Sequence, residues 1–171
     1  MVKILKSKKL RIVVIILLVI IIIAIPTAIK SYQNLKQTQF LNNAEEYIKS
    51  EAEDYNKTIV DADEIEVRRE GNVIIYTQNY SFDQTISEMI NESEALGDEG
   101  IEVIKGYAKS IRQSIVDITS YYYNEIVNRF GDNCEFYIKS EKSQKNELFL
   151  ITQYGENGYV FEYDLFEQLG Y

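Results

Sequence analysis

The chain has no histidine and no tryptophan, a single cysteine (Cys134) and a single proline (Pro26) among its 171 residues. Without histidine, Ser-His-Asp and Cys-His catalysis within the chain, histidine-containing zinc sites and imidazole-based pH sensing near neutrality are all excluded. One cysteine permits no intrachain disulfide, so packing alone must hold the fold. Its distance from the N-terminus also rules out lipid modification of an N-terminal cysteine. No Ser-x-x-Lys or Gly-x-Ser-x-Gly spacing offers an activated serine. Basic residues are scarce beyond the first thirty positions: residues 31–171 hold 12 Lys and Arg against all 27 Asp and Glu, a formal charge of −15. That balance argues against nucleic acid as a partner, because phosphates are met by Lys and Arg clusters. The densest carboxylate clusters are Asp61-Ala62-Asp63-Glu64 and Glu92 to Glu102. Neither has the alternating oxygen ligands, turn glycine and closing Glu of a calcium loop, so no metal ligand and no cofactor is assigned and the acidity reads as a solvated surface.

What the sequence does contain is an uncharged run of 18 residues, Ile12 to Ile29, apolar except for Thr27 and preceded by Lys3, Lys6, Lys8, Lys9 and Arg11. As a helix it would reach roughly 27 Å, close to the roughly 30 Å hydrocarbon core of a bilayer. The basic head predicts a cytoplasmic N-terminus, with everything after residue 29 exported. Neither Pro26-Thr27-Ala28 nor Ile22-Ile23-Ala24 makes a good Ala-x-Ala cleavage site, and the apolar core is longer than the roughly 7 to 15 residues of a secretory signal, so the run reads as an uncleaved anchor. Pro26 falls late in it and marks a kink. The predicted organisation is a basic head over 1–11, a transmembrane helix over 12–29, a stalk helix over 30–60 and an extracytoplasmic domain over 61–171.

In the stalk, Leu35, Leu41, Ala44, Ile48, Ala52, Tyr55 and Ile59 recur at helical spacings with no Gly or Pro between them. This stripe suits docking on the chain's own domain. Leu41, Ile48 and Tyr55 at heptad spacing also fit a short coiled coil with a second copy, hence a homo-oligomer. Glu64 to Tyr80 then alternates with period two around Gly71-Asn72 and reads as a β-hairpin. With those two residues as the loop, Val67 faces Tyr76 and Arg69 faces Ile74, which places Ile65, Val67, Ile74 and Tyr76 on one face.

Ser81 and Gln84 have capping-box spacing ahead of Ile86, Met89 and Ile90. After a bend at Gly97 to Gly100, an apolar stripe runs from Ile101 through Ile104, Ala108, Ile111, Ile115, Ile118, Tyr122 and Ile126 to Phe130, with Gly131 as a C-cap. Cys134–Ile138, Glu147–Tyr154 and Tyr159–Leu165 are strand-like, with Ser140–Asn146 as a polar connection. A two-residue loop at Asn157-Gly158 would pair Tyr154 with Phe161 and Thr152 with Tyr163. The order α-ββ-α-βββ predicts an α+β fold with helices packed on one face of an antiparallel sheet of about five strands.

Tyr121-Tyr122-Tyr123 is the most unusual local feature, because adjacent helical residues point about 100° apart and cannot all face one core. Tyr122 lies on the stripe, which leaves Tyr121 and Tyr123 as candidate partner contacts. The run Val67-Arg68-Arg69-Glu70-Gly71-Asn72-Val73-Ile74-Ile75-Tyr76, followed by a long helix and a final hairpin, resembles a family of uncharacterised exported domains of Gram-positive bacteria, anchored by one span or by lipid. The likeness covers residues 64–163, with Tyr154 to Gly158 in place of the family's closing Tyr, Asp-Gly turn and Asn157 for the Asp. It implies an exported location and this architecture, and supplies no catalytic residues.

The combined expectation is a single-pass, non-enzymatic membrane protein that touches the lipid bilayer through residues 12–29 and whose exported domain binds another protein or an envelope component. Two alternatives stand beside it. One is an assembly component of a secretion or conjugation machine, which would self-associate. The other is a cell-wall glycoside hydrolase, which needs two carboxylates facing across a groove at about 5 to 9.5 Å. With 27 acidic residues, no such pair stands out.

Overall fold

A computed structural model describes residues 8–58, 65–80, 84–132, 134–145 and 147–171, with side chains in the first segment over 21–57. The chain divides into two compact units, Met1–Gln39 and Phe40–Tyr171. Helix α1 (Lys8–Thr58) runs through both and contains Pro26. Among the described residues no helix is long and apolar enough to cross a membrane. Residues 12–20 of the expected 12–29 span lie outside the described side chains, as do Asp61, Asp63, Glu64 and Ser81.

The second unit is α+β. After α1 come β1 (Ile65–Glu70), β2 (Val73–Tyr80), α2 (Ile86–Glu94), α3 (Asp98–Phe130), β3 (Tyr137–Gln144), β4 (Glu147–Gly155), β5 (Gly158–Asp164) and a single turn, α4 (Leu165–Gln168). The five strands lie in sequence order. The sheet is mixed, not antiparallel as expected: β2 and β3 pair in parallel, Ile74 beside Ile138 and Tyr76 beside Ser140. The reason is the connection, since a strand that returns through a helical crossover enters the sheet in its original direction.

The first hairpin has the predicted register, with Val67 opposite Tyr76 and Arg69 opposite Ile74. Of its two loop residues only Gly71 takes a positive φ, 64°, as a loop with glycine at its first central position requires. The last hairpin differs from expectation. Its loop is Glu156-Asn157, pairing Tyr154 with Tyr159 and Thr152 with Phe161. Asn157 does not adopt the positive φ that an Asn-Gly loop demands; Gly158 does, at 93°, so the glycine follows the loop instead of forming its second half.

One sheet face packs on the helices. Phe40, Leu41, Ala44, Ile48 and Ala52 of α1 bury against Ile65, Ile74, Tyr76 and Ile138 of the sheet and Ile126 of α3. Ile86 and Ile90 of α2, Ile104, Ala108 and Ile115 of α3, and Phe166 of α4 bury against Phe149 and Leu150. Helix α2 is capped by Thr85 with Glu88, a reciprocal box one turn later than the Ser81–Gln84 spacing suggested. Gly100 in the first turn of α3 is obligatory, because a Cβ there would sit 1.9 Å from the Ser93 carbonyl oxygen. Gly131 ends α3 as expected, its N–H donating to the Val127 carbonyl at 2.8 Å.

Strand β3 is the largest departure from expectation, since it takes in Ser140 to Gln144, read above as a connection. Its inward side chains are Ile138, Ser140, Lys142 and Gln144, all at most 1% exposed. The Lys142 ammonium donates to Gln78 Oε1 and lies 4.5 Å over the Tyr76 ring. On the outer face, the Arg68 guanidinium donates to Glu141 at 2.9 Å and to the Thr77 hydroxyl at 2.7 Å.

Candidate functional site

The C-terminal end of α3, the approach to β3 and the β4–β5 loop meet around a cleft of about 380 Å³, within the range of small-ligand sites. Tyr123 is brought there by the helical period: it sits one residue past Tyr122, whose ring turns inward to Tyr76 at 5.8 Å. The Tyr123 ring stacks on Phe136, with centroids 4.6 Å apart and planes at 12°, and meets Tyr154 at 5.5 Å. Phe136, 2% exposed, is in turn held by the edge of Phe40 at 5.2 Å.

Tyr137 also lines the cleft. Its position explains Gly155, since a Cβ at that residue would approach Tyr137 Cδ1 to 2.6 Å. The Tyr137 hydroxyl donates to Glu135, and that hydrogen bond raises its pKa above the usual phenol value. Asp132 and Glu156 complete the rim, both solvent-exposed. The Tyr123 phenol is also held above its ordinary range, first by burial and then by the nearby charges of Glu156 and Asp132. Cys134 lines the cleft half-buried as a free thiol. Burial raises its pKa.

The two tyrosines singled out in the sequence are not brought together. Tyr121 is 53% exposed and its ring lies 5.6 Å from that of Tyr122, while Tyr123 is half-buried in the cleft. Asp132, Glu135, Tyr137 and Glu156 were missed. Asp132, Glu135 and Tyr137 cluster around Cys134 in the sequence, but a strand start and a distant turn do not announce that they share a cleft with Glu156. Of the densest acidic clusters, the described one disperses into local contacts: Glu92 accepts from Gln84 at 2.8 Å, Glu102 from Lys105 at 2.9 Å, and Glu94 from the Tyr171 hydroxyl. Among the described residues no group of three acidic or cysteine side chains is arranged to hold a metal ion.

The cleft therefore offers aromatic walls, a carboxylate rim and no lining Lys or Arg. The three carboxylates that line it, Asp132, Glu135 and Glu156, are all exposed. No protein-family model, no curated protein and no solved structure matches the chain, so no activity is carried over from a relative.

Proposed function

We propose that this chain is a single-pass membrane protein with a cytoplasmic N-terminus and an exported, non-enzymatic α+β domain that binds another protein or an envelope component through the cleft beside Tyr123. The anchor is supported by the uncharged run Ile12 to Ile29 behind five basic residues. The observation that carries it is the described end of that run: Ile21, Ile22, Ile23, Ile25 and Ile29 lie on α1 with exposures of 49–67%. A contiguous apolar surface of this kind calls for a cover, and a bilayer is the cover that a basic flank orients. The formal −15 of residues 31–171 keeps the exported part soluble.

The test is protease added to intact cells expressing the chain, followed by alkaline extraction of their membranes. The expected outcome is loss of the domain from outside while a short N-terminal fragment survives in the membrane pellet. A chain untouched by external protease, or one released by alkaline extraction, refutes the reading.

A further inference from the structure

We propose that the cleft beside Tyr123 is a receptor for an alkylammonium group, a positively charged amine head on an apolar stem. This names the ligand class of the binding site proposed above and rests on that site being the binding surface; it does not rest on the anchor. Three features of the cleft select this chemistry together. Three rings line it, Tyr123 stacked on Phe136 and Tyr137 seated over Gly155. Aromatic rings attract a cation that approaches them, and an apolar stem packs on the same surface. Its rim is negative, with Asp132, Glu135 and Glu156 and no compensating Lys or Arg. An anionic or neutral polar ligand would meet repulsion or no electrostatic gain there.

Finally, about 380 Å³ accommodates a small organic head with its stem. The ammonium could be quaternary, as on a choline-type head group, or primary, as on a lysine-type side chain. The charged head and the carbon stem are common to both.

The test is isothermal titration of the full chain in uncharged detergent micelles with choline, with n-butylammonium, and with 3,3-dimethylbutan-1-ol, the neutral isostere of choline. At least one ammonium should bind saturably, and the neutral alcohol should bind on the order of tenfold more weakly than choline or not at all. Preference for choline identifies the head-group source, and preference for n-butylammonium the side-chain source. The double variant Asp132→Asn, Glu156→Gln should lose on the order of tenfold in ammonium affinity. Glu102→Gln, on a helix face outside the cleft, should lose none. Both variants alter exposed residues, and an unchanged urea midpoint certifies that they are folded. Equal binding of choline and its neutral isostere overturns the proposal, because the cleft is then only an apolar hole. So does binding of a cell-wall oligosaccharide with no response to either ammonium. In both cases the protease and extraction experiment still stands, so the ligand class fails without the anchor.

Discussion

At the scale of single residues, the unusual choice is a lysine in the core. Lys142 is 1% exposed, donates to Gln78 and lies over Tyr76 and, at 5.8 Å, Tyr80. Its neighbours along the inner face of β3 and β4 are polar too: Ser140 and Thr152 face each other across the strands, and both are fully buried. Their hydroxyls have no hydrogen-bond partner among the described residues. This polar seam explains why the continuation of β3 past Ile138 is not legible in the sequence, since the pattern that announces a half-buried strand is apolar alternation and here the inward positions read Ser, Lys, Gln. Replacing Lys142 by Ala removes a long packed stem and orphans the Gln78 carbonyl, so Lys142→Ala should lower stability by about 2–4 kcal/mol. In a urea titration the midpoint should fall with the slope unchanged. A midpoint equal to that of the wild type would mean that the seam contributes nothing to the fold.

At the scale of elements, what was legible and what was not divides along a physical line. The β1–β2 register and most of the stripes of α3 and α1 were readable because each is set by local chemistry, a two-residue loop or a 3.6-residue period, though Leu35 and Tyr55 of the α1 stripe are exposed and Thr119, not Ile118, takes the buried position on α3. The parallel β2–β3 pairing and the walls of the cleft arise between elements far apart in the chain, Tyr123 with Glu156 and Ile74 with Ile138, and no local period encodes them. The link between α1 and β1 is of the same non-local kind. Arg69 donates to Glu45 and to Asn42, both at 2.9 Å, and the Asn56 amide exchanges two hydrogen bonds of 3.1 Å with the backbone of Ile65. The hydrogen bond from Lys49, with Arg69 adding to it, holds the Glu45 carboxyl below its ordinary 4.5. A carboxylate with a lowered folded pKa contributes stability that is complete above the unfolded value and drains away as pH falls through the folded one. The stability difference between wild type and Glu45→Gln should therefore be about 1 kcal/mol at pH 7. It should shrink steadily once the pH drops below 4.5. Denaturant unfolding of both proteins across acidic pH measures it, and a difference that does not vary with pH would show that the carboxylate's charge is not what ties α1 to the hairpin.

At the scale of the whole molecule, the packing that stabilises the domain comes from the later stretch of α1. Neither core contains a residue before Phe40, and the unit that holds both cores begins there. From Ile21 to Gln39 no described side chain is fully buried and only Gln37 is half-buried, so this stretch adds little packing to folding, whereas Phe40 and Leu41 are 6% and 4% exposed. Phe40 further braces the Phe136 ring on which Tyr123 stacks, so the start of the folded unit and the cleft are mechanically joined. Two fragments separate these contributions without needing a membrane. One spanning residues 34–171 keeps every core residue and should unfold cooperatively, with the full apolar complement of the domain. One spanning 42–171 lacks Phe40 and Leu41, and the loss of two buried large side chains should cost it about 4–8 kcal/mol, comparable to the total stability of an ordinary domain. It should accordingly be largely unfolded by circular dichroism at room temperature, and its Tyr123 environment should lose the near-ultraviolet signal of a stacked ring. Equal midpoints for the two fragments would place the boundary of the folded unit after Leu41 and detach the cleft from α1.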